Sequence, residues 1–254
     1  MDEVKGIYHS HTKYSKYNHG KNSVQEMVDE ADRLGLKEYA ITDHGCRHIF
    51  GIRKKKIQSL KNDIINASAN KNVKVYMGLE FNLLGNNGET DFVETKKDLF
   101  DIKLVGAHLG AWVGIKSFFT FYLPNLLNKN SKKRIEKNTD AYIKAIKKYH
   151  FDVITHPNEF IKVNIKRLAK ACAENNCYLE LNEKHMNLTN EDVQKILETD
   201  CKFIIGTDAH AKERILSVEK VKNFIKDTKI PLDRVANFDK LPNFANKYGS
   251  DDKK

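Results

Sequence analysis

Short runs of β-branched and apolar residues alternate along the chain with longer segments in which apolar residues recur at the spacing of a helix face. The runs that predict β-strands span residues 5–9, 38–42, 73–80, 102–108, 152–155, 178–181 and 203–207. The helical pattern covers residues 23–35, 53–70, 131–149, 164–175, 189–199 and 215–228, and Ser23 and Thr189 are typical N-cap residues. This alternation predicts an α/β fold of parallel β/α units, in either a closed barrel or an open doubly wound sheet.

Two segments depart from the alternation. Residues 85–94 predict a hairpin excursion after the third strand. We call residues 111–130 the aromatic insert. One interpretation is a packed loop or short helix, and the other is a functional segment that forms a lid or a subunit contact. Its aromatic side chains are Trp112, Phe118, Phe119, Phe121 and Tyr122. Because no Pro- or Gly-rich linker divides the chain, we expect one domain over residues 1–248 and a frayed polar tail at 249–254.

Composition adds general limits. Apolar residues make up 40% of the 254 residues and charged residues 31%, which is typical of a soluble globular protein. No apolar run could span a bilayer, and the N-terminus has no signal-peptide core, so we expect a cytoplasmic protein without a membrane partner. The net charge of +10 comes mostly from scattered lysines and indicates either a biased composition or a functional basic face. The four cysteines form no CxxC motif, so we expect reduced thiols.

Histidines and carboxylates recur at one kind of position, at or just past the carboxyl end of a predicted strand. Seven of the ten histidines belong to this group, six in strand-end motifs and His19 in the loop after the first strand. The motifs are His-Ser-His at 9–11, Thr-Asp-His-Gly at 42–45, Gly-Leu-Glu at 78–80, Ala-His at 107–108, Thr-His-Pro at 155–157 and Gly-Thr-Asp-Ala-His at 206–210, with His19 in the first loop. Since the carboxyl ends of parallel strands converge on one face, we expect these side chains to form one cluster.

The chemistry of the cluster favours divalent metal ions. Imidazole and carboxylate ligands suit zinc, manganese and iron, and the absence of clustered thiolates argues against a structural zinc site. The set exceeds the needs of one metal and suffices for about two or three with a bridging carboxylate. Neighbouring metals about 3.5–4 Å apart are a known arrangement for hydrolysing phosphate esters.

The ordered set of motifs resembles the PHP (polymerase and histidinol phosphatase) superfamily over nearly the whole chain, and is most similar to its compact stand-alone trinuclear-zinc phosphatases. The segment at 179–183 and the stretch at 234–244 are also similar to those enzymes. The resemblance implies a distorted (β/α)7 barrel that binds three metals through nine ligands. Carried over to this sequence, the ligands are His9, His11, His19, His44, Glu80, His108, His156, Asp208 and His210.

His19 lies two residues later than a gapless alignment places it, at the position that Tyr17 holds. We still predict that His19 is the ligand, because the loop can absorb two residues.

Further roles are assigned from position. Glu80, as the bridging carboxylate, and Asp208 are predicted to be catalytic. Asp43 is grouped with them, although it precedes a ligand and fits a role in orienting that ligand.

Substrate phosphate has four candidate contacts and proton transfer has one candidate residue. The predicted phosphate contacts are Arg47, His48, Lys184 and His185. Glu183 is a candidate acid or base.

These features predict a metal-dependent phosphoesterase that hydrolyses a small phosphomonoester with a metal-activated water. One alternative is a nuclease or DNA-polymerase-associated proofreading module, for which the basic charge would favour nucleic acid as a partner. A second alternative is a histidinol phosphatase. A scaffold with a relic metal site is disfavoured by the complete ligand set. The sequence leaves the oligomeric state open.

Overall fold

Seven parallel strands form the centre of the molecule. The computed structural model describes residues 3–95, 97–128 and 130–244. The strands are β1 (Gly6–Ile7), β2 (Glu38–Ile41), β3 (Lys74–Asn82), β4 (Ile102–Gly106), β5 (Val153–Ile154), β6 (Tyr178–Asn182) and β7 (Phe203–Gly206). Each pairs in parallel with the next, in chain order. The distorted (β/α)7 barrel is confirmed, although β1, β2, β4, β5 and β7 are shorter than predicted.

The seam between β1 and β7 is bridged at two levels rather than by a continuous ladder. Toward the carboxyl ends, Ser10 and Ala209 form a parallel bridge, and the His11 N–H donates to the Ala209 carbonyl at 2.8 Å. Lower down, the buried Asn237 amide donates to the carbonyls of Gly6 and Ile205, at 2.9 and 2.8 Å. The nearly closed ring therefore brings the first and last histidine motifs side by side.

Helices surround the barrel. They are α1 (Val24–Arg33), α2 (Ile57–Ser68), α3 (Ile115–Ser117), α4 (Leu123–Asn128), α5 (Lys132–Tyr149), α6 (Ile165–Glu174), α7 (Asn190–Leu197) and α8 (Glu219–Thr228). The two predicted N-caps are confirmed: Ser23 forms a capping box with Glu26, and Thr189 forms one with Asp192. Within the described residues, no helix combines the length and apolar character needed to cross a bilayer.

Alternating strand residues separate two layers of core. Side chains such as Ala40, Leu104 and Ile204 fill the barrel, whereas their neighbours Ile41 and Val105 pack with the outer helices. This period of two is what a barrel strand requires.

The excursion at 85–94 forms only one antiparallel bridge, between Leu83 and Thr90, before a 3-10 turn at Asp91–Glu94. The predicted tail at 249–254 lies outside the described residues.

Candidate metal centre

The barrel gathers the predicted ligands at the carboxyl ends of its strands. Glu80 belongs to β3, and seven others follow a strand within four residues: His9, His11, His44, His108, His156, Asp208 and His210. His156 and Asp208 have φ angles of 27° and 47°, a region that residues with a side chain seldom adopt. Such a strained backbone persists only when neighbouring contacts stabilise it. At His156 the backbone N–H donates a hydrogen bond to Glu180 Oε2 at 2.8 Å.

Glu80 lies at the centre of the cluster and is fully buried. Its Oε1 is 2.7 Å from His156 Nε2 and 3.0 Å from His108 Nε2. Its Oε2 is 2.8 Å from His44 Nδ1. Burial alone would raise the pKa of Glu80, but the neighbouring imidazoles, chiefly His108 and His9, outweigh it and hold the pKa well below its ordinary value. Glu80 therefore presents an anionic carboxylate to imidazoles on more than one side of it.

Asp208 organises the other half of the cluster. Its Oδ1 lies 2.9 Å from His11 Nε2 and 3.7 Å from His9 Nε2. His210 Nε2 lies 2.7 Å from His19 Nε2, so the loop brings His19 into the cluster, whereas Tyr17 is 79% exposed. All nine predicted ligands therefore converge.

Buried polar atoms test whether the cluster fits metal ions. Three sets of ligand atoms lie within 4.8 Å of one another: His11, His44 and His210; His9, His11 and Glu80; and His44, Glu80 and His108. His44 Nδ1, Glu80 Oε2 and Asp208 Oδ1 are buried and form no well-aligned hydrogen bond with the described residues. They nevertheless lie close to other ligand atoms: His44 Nδ1 is 2.8 Å from Glu80 Oε2, and Asp208 Oδ1 is 2.9 Å from His11 Nε2. Such atoms are costly unless they are paired, and divalent cations shared between them would satisfy them.

Residues behind the cluster fix the orientation of three imidazoles. Glu180 Oε1 lies 2.7 Å from His9 Nδ1, and Asn82 Oδ1 lies 2.8 Å from His108 Nδ1. Glu159 Oε2 lies 2.7 Å from His156 Nδ1. Bonds of this kind select the tautomer and direct the opposite nitrogen toward a metal.

These three orienting residues were not predicted from the sequence. Asn82 and Glu180 could have been suspected as polar residues in otherwise apolar strands. A Cβ at Gly206 would lie 1.8 Å from Glu180 Oε1, so glycine there admits the Glu180 side chain.

The carboxylates also control the protonation of the imidazoles. Burial lowers the pKa of His9, but Glu180, Glu80 and Asp208 outweigh it and raise that pKa well above its ordinary value. His156 behaves likewise: burial opposes protonation, yet Glu159 and Glu80 raise its pKa to about 10. The electrostatic environment thus favours positive charge at these two positions, as a cation site requires.

Asp43 stands apart from the cluster. Its two oxygens accept hydrogen bonds from the backbone N–H groups and the hydroxyls of Thr12 and Ser15, at 2.6–3.1 Å. Burial raises the pKa of Asp43 to about 6, against the effect of these bonds. Because both oxygens are engaged, Asp43 fastens the loop that carries His19, and we assign it a positioning role in place of the predicted catalytic one.

A cleft of about 490 Å³ opens above the cluster. Lys184 Nζ lies 3.2 Å from Asp208 Oδ2, and His185 Nε2 lies 3.5 Å from the same oxygen. His48 also lines the cleft, and its Nδ1 accepts a hydrogen bond from the Phe50 N–H at 3.3 Å. Three of the four predicted phosphate contacts thus meet at the cleft.

Two other predicted site residues are engaged outside the cleft. The Arg47 guanidinium pairs with Glu94 at 2.5 Å, which removes it from the cleft lining. Glu183 accepts the N–H groups of Lys220 and Val221 at the start of α8, so it caps a helix rather than facing the substrate.

The aromatic insert forms one wall of this cleft. It contains α3, a π-helical turn at Phe118–Tyr122 and α4. Leu126 lines the cleft, and the Tyr122 ring lies 5.1 Å from Phe160, another lining residue. Asn125 anchors the insert because its amide pairs with that of Asn138, at 2.8 and 3.0 Å. The insert is thus a helical wall anchored by the buried Phe121 and Asn125, whereas Trp112, Phe119 and Leu127 are largely exposed.

Comparison with known proteins identifies the family. The PHP domain model matches residues 8–184, more than half of the chain. The chain belongs to the PHP domain family. The match ends before Asp208 and His210, yet the barrel brings both into the same PHP cluster.

Relatives and a solved structure agree with this assignment. Proteins from Shewanella halifaxensis and Acetivibrio thermocellus, each named "Probable phosphatase", are 25% identical over 248 and 251 residues. The alignments cover 92% of this chain and 89% and 92% of those proteins. A histidinol phosphate phosphatase from Lactococcus lactis, solved with zinc, L-histidinol and phosphate, superposes with a TM-score of 0.58 at 17% identity. That superposition covers 89% of this chain and 94% of the other, and it shows a shared fold.

Proposed function

We propose that this PHP protein is a metal-dependent phosphomonoesterase acting on a small molecule. The observation that carries the proposal is the convergence of Glu80 and Asp208 with seven histidines beneath a cleft that also presents Lys184. The names of the relatives and the phosphate ligand of the Lactococcus lactis protein support the same reaction class. We expect about two to three divalent ions, with zinc, manganese and iron as the candidates.

The residues divide the work of hydrolysis. Nine residues would hold the ions: His9, His11, His19, His44, His108, His156, His210, Glu80 and Asp208. When bound, the ions would supply an acidified water and an electrophile for the phosphoryl oxygens. Lys184 would bind a phosphoryl oxygen as a point charge, and His48 would offer an N–H donor. His185, whose Nδ1 faces Glu159, would offer a donor at Nε2 as an imidazolium. Phe50, Leu126 and Phe160 would exclude water around the rest of the substrate.

The charge of the site favours a monoester over a diester. A terminal phosphate carries up to two negative charges and a diester only one, so a cationic site attracts the monoester more strongly. A diester must also place a second ester arm, and the aromatic insert occupies one side of the cleft. The basic surface would raise non-sequence-specific affinity for DNA at low salt, but such affinity does not by itself deliver a strand to the metals.

The test compares kcat/KM for an aryl phosphate, a sugar phosphate and a nucleoside monophosphate with that for single-stranded DNA. The assays use physiological salt and added zinc or manganese, with Asp208→Ala as the inactive control. We expect each good substrate to be a monoester. Faster cleavage of DNA that is abolished in Asp208→Ala would replace the phosphatase with a nuclease.

A further inference from the structure

Glu159 contacts two histidines with two different oxygens. Its Oε2 lies 2.7 Å from His156 Nδ1, and its Oε1 lies 2.9 Å from His185 Nδ1. Its side chain is 31% exposed and lines the cleft. The sequence offers no motif that marks this carboxylate, which lies three residues after His156 in the loop that follows β5.

The loop that carries Glu159 is held in place. The His156 N–H is bound by Glu180, and the Glu159 N–H donates to the His156 carbonyl at 3.3 Å. Asn158 has a φ of 68°, and its Oδ1 accepts the Val163 N–H at 3.0 Å, which closes the loop on itself. Because the backbone is fixed on both sides, the Glu159 carboxylate is presented to both rings in a defined position.

The two rings face different parts of the site. His156 directs its Nε2 to Glu80 Oε1, in the metal cluster. His185 directs its Nε2 toward Asp208 Oδ2 at 3.5 Å, on the open side of the cluster next to Lys184. Glu159 therefore joins a ring that would hold metal to a ring that would meet the substrate.

We propose that Glu159 is a positioning residue that sets His156 for the metal centre and His185 for the phosphoryl group. The His185 part of this role rests on the proposed phosphomonoesterase activity, whereas the His156 part does not. Only a carboxylate serves both rings, since each imidazole donates an Nδ1–H and each needs an acceptor oxygen. A glutamine would satisfy one ring and turn its NH2 group toward the N–H of the other.

The variants follow from that geometry. Glu159→Gln breaks one of the two bonds while keeping the size of the side chain, and Glu159→Asp keeps the charge but is too short to reach both rings. His185→Gln removes the substrate-side ring alone. Glu198→Gln is the matched control, because Glu198 is a surface carboxylate that pairs with Lys166.

Metal retention, measured by competition with a chelator, reports on His156. We expect Glu159→Gln to weaken metal retention by roughly 10–100-fold, as is usual for a group that orients a ligand. We expect Glu159→Asp to lie between this variant and the wild type. His185→Gln and the Glu198→Gln control should retain metal as the wild type does. Circular dichroism checks that each variant is folded.

Two measurements report on His185. They are the kinetics of aryl phosphate hydrolysis at saturating metal and the affinity for inorganic phosphate. In a double-mutant cycle, the loss caused by Glu159→Gln is measured in the wild type and again in the His185→Gln background. We expect the fold-loss in kcat/KM and in phosphate affinity to be smaller in the His185→Gln background, by a factor of at least about two. Glu159→Ala removes both bonds and completes the test. Equal losses in both backgrounds for Glu159→Gln and for Glu159→Ala would overturn the His185 role, and unchanged metal retention in both variants would overturn the His156 role.

The two proposals can fail separately. If the wild type hydrolyses no monoester, the proposed function fails, while metal retention and phosphate binding still decide the role of Glu159.

Discussion

Replacing Glu80 with glutamine should separate the metal centre from the fold. The substitution preserves the shape of a fully buried side chain and removes its charge. Glu80 belongs to two of the three sets of converging ligand atoms, one with His9 and His11 and one with His44 and His108. A single change therefore weakens two metal positions at once.

The size of the effect follows from that double role. Groups that only orient a ligand cost roughly 10–100-fold in affinity or activity when they are removed. A charged ligand shared by two positions should cost at least that much at each. We therefore expect kcat/KM to fall on the order of a thousandfold and metal content to drop.

Glu38→Gln is the matched control for a buried strand carboxylate. Glu38 accepts hydrogen bonds from the hydroxyls of Tyr8 and Tyr76, both at 2.7 Å, away from the metal cluster. Its loss should cost about 1–3 kcal/mol of unfolding free energy and leave metal content intact. The assays are elemental analysis, kcat/KM on an aryl phosphate and chemical unfolding. A Glu80→Gln variant with full metal content and more than about a tenth of wild-type kcat/KM would refute the bridging role.

Three further outcomes are expected. Chelation should remove about two to three metal ions together with the activity, as elemental analysis and kinetics would show. It should also lower the free energy of unfolding by about 2.7 kcal/mol per site, compared with protein kept in free metal at a hundred times Kd. Asp43→Asn should lower kcat/KM by roughly 10–100-fold at saturating metal, because the loop that carries His19 loosens; an unchanged rate would exclude this role. Lys184→Ala should raise KM for a phosphomonoester, whereas Arg47→Ala should leave KM near the wild-type value, since the Arg47 guanidinium pairs with Glu94; steady-state kinetics of both variants compare them.

The strand count could be predicted because each strand is an apolar run bounded by helices of clear periodicity. The choice between a closed barrel and an open sheet could not be made from periodicity. It depends on long-range contacts, such as those of the Asn237 side chain with Gly6 and Ile205. A single asparagine 231 residues from its partner gives no local signal for such a contact. The family resemblance supplied the answer that the pattern left open.

The candidate ligands could be predicted because they share a position relative to the strands, and parallel strands present their carboxyl ends together. Residues that act through other residues were harder to predict. Glu159 carries no spacing that sets it apart from surface acids, and its partner His156 lies across a turn. Glu180 stands out in an apolar strand, but its partner His9 is distant in sequence. The contacts of Arg47 with Glu94 and of Glu183 with the start of α8 could not be foreseen for the same reason, since a charged residue near a motif says nothing about the partner that engages it.

We expect hydrolysis and substrate selection to depend on different parts of the molecule. All the predicted ligands except His19 lie on or directly after strands, and interstrand pairing fixes their separations. The apolar wall of the cleft comes instead from the aromatic insert, through Leu126, and from the loop after β5, through Phe160. Hydrolysis requires only that the phosphoryl group reach the metal cluster, whereas the wall contacts what lies beyond that group. Changes in the wall can therefore alter which phosphate ester enters the cleft without disturbing the chemistry that cleaves it.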